Sequence, residues 1–149
     1  MQVYHIAQIN IAKMKGVNIN DPIMKEFVDN LTTINQLAES SEGFVWRLKD
    51  DNDTATNLNP FDDEQILVNV SVWQNIVCLE YFVYKTFHTD FLKRRKEWFQ
   101  NFGKAHMVMW KIPKGYIPSL EEALEKLNYF QNYGASTDVF DFKNKHFAN

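Results

Sequence analysis

The stretch Gln65-Ile66-Leu67-Val68-Asn69-Val70-Ser71-Val72-Trp73 decides the fold. Side chains alternate across an extended chain, so Ile66, Val68, Val70 and Val72 share one face while Leu67, Asn69, Ser71 and Trp73 share the other. A run this rich in β-branched residues, apolar on one side and mixed on the other, reads as a central strand of a sheet. Working outward from it, Val3 to Ala12 shows the same period of two, with Gln8 and Asn10 among apolar neighbours. Phe44-Val45-Trp46-Arg47-Leu48 and His106-Met107-Val108-Met109-Trp110-Lys111-Ile112 give two more strands, the last stopped by Pro113 and Gly115.

Between these strands the period changes to three and four. Asp21-Pro22 supplies a cap and a first-turn proline, after which Ile23, Phe27, Leu31, Ile34 and Ala38 recur at helical spacing. Asn75 caps a helix from Ile76 to about Lys85, and a second helical segment is expected from about Thr89 to Phe99. Pro118-Ser119-Leu120-Glu121-Glu122 opens a further helix that ends at Gly134, with Ser119 and Glu122 forming a capping box. The polar stretch from Lys49 to Glu64 is a loop or hairpin connection.

The order β-α-β-β-α-β, followed by an extra helix and a tail over 134–149, is that of an α+β ferredoxin-like half-barrel in one domain spanning 1–149. That topology places the first and third strands side by side at the centre. Both faces of these strands carry apolar groups, and one layer of helices covers only one of them. A second copy of the chain is the expected cover for the other, so a homodimer is anticipated.

Composition narrows the function classes. Hydrophobic residues make up 45% and aromatics 15%, with twelve Phe, which is material for a core and for an aromatic-lined cavity. A net charge of −3 argues against a general nucleic-acid binder. The lone Cys78 excludes an internal disulfide and fits a reducing compartment, and Met1 to His5 lacks the start of a secretion signal; a cytoplasmic location is expected. No apolar stretch approaches the roughly 20 residues needed to span a bilayer, so no membrane partner is expected.

Several motifs taken together carry a resemblance. Asn69-Val70-Ser71-Val72-Trp73, Tyr84, His88, Arg94-Arg95-Lys96-Glu97-Trp98-Phe99, His106, Trp110 and Pro113 are joined by Ala7-Gln8-Ile9-Asn10-Ile11-Ala12 and Gly43-Phe44-Val45-Trp46-Arg47. Over nearly its whole length the chain resembles the family called domain of unknown function 3291. That family is similar to the dimeric α+β barrel superfamily, which holds antibiotic-biosynthesis monooxygenases, heme-degrading monooxygenases and stress-responsive barrel proteins. The resemblance implies the same half-barrel and a pocket for a small molecule, with either no cofactor or heme. It also implies that Asn10, Trp73 and His88 stand where the Asn, Trp and His of the heme-degrading branch stand.

The residues themselves leave two readings open at each position. Asn69, Ser71 and Asn10 either close a structural hydrogen-bond network or line a wet pocket, since polar side chains inside a sheet must find partners. His88 acts as general acid or base, ligates heme iron, or caps and packs a helix; His106 has the same alternatives with a weaker claim. Arg95 is the member of the Lys93 to Lys96 run expected to point inward, where a guanidinium can clamp a carboxylate or heme propionate; the alternative is a solvated basic face with Arg94 stacked on Trp98.

Trp46, Trp73, Trp98, Trp110 and Tyr84 either wall a flat ligand or form core. His5 and His146, near the termini, are expected to face solvent. No metal site is expected from protein ligands alone, and Asp50 to Asp53 lacks the glycine and glutamate of a calcium loop. Two functions fit: a monooxygenase-like enzyme acting on an aromatic or polycyclic ligand, and a non-catalytic ligand-binding or stress-responsive module.

Overall fold

The computed structural model describes residues 3–49, 60–85, 93–101 and 103–149. Strand β1 (Tyr4–Lys13) leads through a 3-10 turn (Pro22–Met24) into α1 (Lys25–Ser40), then β2 (Phe44–Arg47) and β3 (Ile66–Trp73). After these come α2 (Ile76–Lys85), a short α3 (Arg95–Trp98), β4 (Met107–Pro113), α4 (Leu120–Tyr133) and a 3-10 tail (Phe142–Ala148). The four strands form one antiparallel sheet in the order β2-β3-β1-β4, the ferredoxin-like arrangement with β1 and β3 central.

Local chemistry sets the boundaries. The Asp21 carboxylate accepts from the Ile23 amide at 3.1 Å, Asn75 Oδ1 from the Cys78 amide at 2.9 Å, and Ser119 Oγ from the Glu122 amide at 3.1 Å. Each satisfies an amide that a helix start would otherwise leave unpaired. Of the helix expected over 89–99, the described residues contain Arg95–Trp98; Phe99 is already extended and bridges Met14. The acidic run Asp50 to Asp53 lies outside the described residues.

Register assigns the two faces. Pairing of Ile6 with Trp73, Gln8 with Ser71, Asn10 with Asn69 and Ala12 with Leu67 puts these eight side chains on one side. Ala7, Ile9 and Ile11, opposite Val72, Val70 and Val68, occupy the other. Helices α1 and α2 pack on the first side, where Ile34, Leu37, Leu79 and Phe82 meet Ile6, Trp73 and Met109.

The second side is covered by the chain itself. Leu120, Ala123, Leu124 and Leu127 of α4 pack over Ile9, Ile11, Val70, Val108 and Trp110, which are buried, while Val45, Trp46 and Ile66 toward the β2 edge are half-buried. The expectation that a second copy of the chain covers this face is corrected over β1 and β4, where the amphipathic extra helix turns back across the sheet and packs on it. Glu122 fixes its start by accepting from Trp110 Nε1 at 2.9 Å and from the Tyr116 hydroxyl. That carboxylate holds the Tyr116 phenol above its ordinary pKa.

The tail ties the two layers together. Val139 packs with the α4 layer, Phe140 exchanges backbone hydrogen bonds with Met109, and Phe142 and Phe147 pack with the layer that holds α2. His5 is another correction, because it is 8% exposed instead of solvent-facing. His5 pairs with Ile112 of β4 and Ile6 already pairs with Trp73 of β3, so even the strand's second residue lies inside the sheet. His146 is exposed.

Candidate functional site

The face of the sheet turned toward α1 and α2 is polar in its middle and apolar around it. Gln8 and Asn10 sit two apart on β1, opposite Ser71 and Asn69 two apart on β3, so all four converge on one side of adjacent strands. Gln8 Nε2 donates to Asn69 Oδ1 at 2.7 Å and to Ser71 Oγ at 2.8 Å, while Asn10 Nδ2 donates to Gln8 Oε1 at 3.0 Å. Trp73 Nε1 completes the ladder by donating to Ser71 Oγ at 2.9 Å. Gln8 and Ser71 are buried, Asn10 half-buried and Asn69 exposed, so the ladder opens outward at its asparagine end.

Above the ladder lies a cavity of about 710 Å³, within the range of pockets that hold drug-sized ligands. Phe27, Leu31, Ile34 and Ala38, spaced along one stripe of α1, form one wall, and Leu79, Phe82 and Val83 of α2 contribute another. At the Ile6 end, Trp73 stacks on Phe82 with ring centroids 5.2 Å apart and meets the edge of Phe44 at 5.5 Å. At the Ala12 end, Phe27 packs edge-on against Phe99 at 5.1 Å and tilted against Trp98 at 5.7 Å.

Arg47, Arg95, Asp141 and Lys143 bring charge to the lining. Arg47 projects from β2 beside Ser71, is 6% exposed and donates from Nε to Glu39 of α1 at 2.8 Å. Arg95 lines the Ala12 end with its guanidinium 5.5 Å from the Phe99 ring, and burial lowers its pKa. His106 lies on the same wall, where its backbone oxygen accepts from the Ile11 amide at 2.8 Å. Burial first, and the Arg95 charge second, hold its imidazole below the ordinary histidine pKa, so it is neutral at pH 7.

The structure thus brings together Asn10, Asn69, Ser71, Trp73, Tyr84, Arg95 and Trp98 around one cavity. Trp73 and Trp98 are packed against neighbouring rings and shape the ends, while Tyr84 is more exposed and meets Phe142 edge-on. His88 lies outside the described residues. Trp110 and Trp46 are corrections: both lie on the opposite side of the sheet, Trp110 only 1% exposed and bonded to Glu122, because its register opposite Ala7 turns it toward α4. Arg94 stacks over Trp98 at 4.8 Å and holds Glu26 through both terminal nitrogens at 2.6 Å, outside the cavity.

Gln8 and Arg47 were not singled out in the sequence. A signal for Gln8 existed: two polar residues two apart on one central strand match two polar residues two apart on the other. Arg47 sits at the end of an otherwise apolar strand, a place where arginine is usually a solvated terminus.

An antiparallel ferredoxin-like sheet with a polar-floored cavity between sheet and helices defines the class: an α+β ferredoxin-like protein. The chain matches the family described as Domain of unknown function (DUF3291) over residues 5–149 and belongs to it. Among solved structures it is similar to a protein of unknown function from Nitrosomonas europaea, with a TM-score of 0.50 and 9% identity over 80% of this chain and 99% of that one. It is also similar, with a TM-score of 0.43 and 14% identity over 79% of this chain and 98% of that one, to SnoaB, a cofactor-independent oxygenase from Streptomyces nogalater. No curated protein matches the chain in sequence. Among the described residues no helix is long and apolar enough to cross a membrane.

Proposed function

We propose that the protein binds a flat, largely apolar small molecule between the sheet and helices α1 to α3, with the Gln8, Asn10, Asn69 and Ser71 ladder holding polar atoms on its edge. The observation that carries this reading is a contrast within two strands. On the α4 side β1 and β3 present Ala7, Ile9, Ile11, Val68, Val70 and Val72, all buried. On the cavity side the same strands present four polar side chains, hydrogen-bonded to one another along the cavity lining. Packing alone would favour apolar groups on both sides, since each buried polar group costs free energy unless paired.

Titration with 9-anthracenemethanol, followed through tryptophan fluorescence, tests the reading. Saturable binding to the unsubstituted protein is expected, weakened about tenfold in Asn69→Leu, which removes polar atoms at an exposed position. Absence of saturable binding, or equal affinity in Asn69→Leu, overturns it.

Monooxygenase-like turnover in the same cavity is a second reading, favoured by His106. A neutral imidazole accepts a proton at pH 7. Taking one from an acidic ring methylene leaves an electron-rich carbanion, which reduces dioxygen; the methylene becomes a carbonyl and the second oxygen atom leaves as water. Anthrone is a suitable probe. Dioxygen uptake above the uncatalysed rate, lost in His106→Gln, supports turnover; uptake equal to the uncatalysed rate leaves a binding module.

A further inference from the structure

Resting on the binding reading, we propose that the ligand of this cavity is a carboxylic acid whose carboxylate docks on Arg95, with its flat apolar body reaching toward Trp73. The cavity has unlike ends. Trp73, Phe82 and Phe44 close one with rings, whereas at the other Arg95 and His106 stand beside the rings of Phe27, Trp98 and Phe99. His106 sits beside Ile11 and Trp73 beside Ile6. Five residues of strand separate these positions, roughly 17 Å, enough for two to four fused rings bearing an acid group.

The two cavity arginines differ in their partners. Arg47 is held by Glu39 at 2.8 Å. Arg94, next in sequence to Arg95, is held by Glu26 and Glu97. Arg95 has no carboxylate within ion-pair reach among the described residues; its guanidinium lies over the Phe99 ring, and its charge acts on the His106 imidazole. A half-buried guanidinium that lines a cavity without a carboxylate partner among the described residues is a site for an anion.

Of the cavity's cations Arg47 is paired with Glu39 and Lys143 is exposed, which leaves Arg95 beside the neutral His106, a setting that suits a single negative charge. A phosphate monoester carries nearly two charges and would call for more donors than this end provides. The planar fork of Arg95 matches the two oxygens of a carboxylate, while the ring of Phe99 holds the guanidinium from its face and leaves the fork's edge for the ligand. The aromatic end and the polar floor then fix the orientation: acid group toward α3, ring body across the ladder.

The test compares 9-anthracenecarboxylate with 9-anthracenemethanol, which share a ring system and differ in charge. The unsubstituted protein is expected to bind the carboxylate at least about tenfold more tightly. In Arg95→Met the ratio of the two affinities falls to about one, and a urea unfolding transition as cooperative as that of the unsubstituted protein shows that the variant is folded. Arg95→Lys keeps the charge without the fork and recovers part of the preference. If both probes bind the unsubstituted protein equally, or if Arg95→Met retains the preference, the carboxylate assignment is overturned while the cavity reading stands. If neither probe binds, the cavity reading falls and this assignment with it.

Discussion

Replacing Gln8 with Met keeps most of the side-chain volume and removes the side-chain hydrogen bonds that Gln8 makes along and across the two central strands. Three are lost: those to Asn69 at 2.7 Å and Ser71 at 2.8 Å, and the one accepted from Asn10 at 3.0 Å. At about 1 kcal/mol per net hydrogen bond the upper sum is about 3 kcal/mol. Asn10 and Asn69 border open space and regain water partners, whereas Ser71 is buried and keeps only the indole of Trp73. A net cost of about 1–2 kcal/mol is therefore expected. For a chain of this size that is a fall in melting temperature of roughly 3–8 °C.

Urea unfolding of Gln8→Met, Ser71→Ala and the double variant gives the coupling directly. The two single costs should exceed the double cost by about 0.5 kcal/mol or more, because both variants break the same bond. Strict additivity, or a Gln8→Met cost within the ±0.5 kcal/mol typical of indifferent surface sites, would show that the ladder is not closed and would refute the reasoning.

Three further outcomes are expected. Glu122→Ala leaves the buried Trp110 indole nitrogen without its acceptor and also releases Tyr116; a loss of about 1–3 kcal/mol in urea unfolding is expected. Gly43→Ala places a Cβ 2.4 Å from Cys78 Sγ at a residue with φ of 83°, and the backbone and overpacking terms together cost about 2–4 kcal/mol by the same measurement. For His106, whose folded pKa is depressed, the unfolded chain takes up a proton first on acidification, so stability falls as pH drops below about 6.5 toward the folded value. In His106→Gln that part of the acid-side loss vanishes, read as a smaller change in urea midpoint between pH 7 and pH 5.

The strands were legible because alternation is a local property: Ile66 to Trp73 shows which side chains share a face without reference to any other segment. Caps at Asp21, Asn75 and Ser119 were legible for the same reason, since each acts on an amide two or three residues away. What the sequence could not display was which face each element meets. Trp110 looks as suited to a ligand as Trp73 until pairing places it opposite Ala7, and pairing joins residues about a hundred positions apart. The placement of α4 is also non-local. Its stripe of Leu120, Ala123, Leu124 and Leu127 announces a surface to be buried, yet only the turn after β4 determines that this surface is the back of the sheet. At the site, Asn10, Asn69 and Ser71 stood out because polarity in a central strand is costly, whereas Gln8 and Arg47 matter through what they reach.

The helix that seals the back of the sheet also offers a handle. Glu121 and Glu125 are exposed on α4, across the strands from the Gln8, Asn10, Asn69 and Ser71 ladder. A dye or surface linker attached at either position therefore has the thickness of the sheet between it and the ladder, and labels or immobilises the chain without entering the cavity.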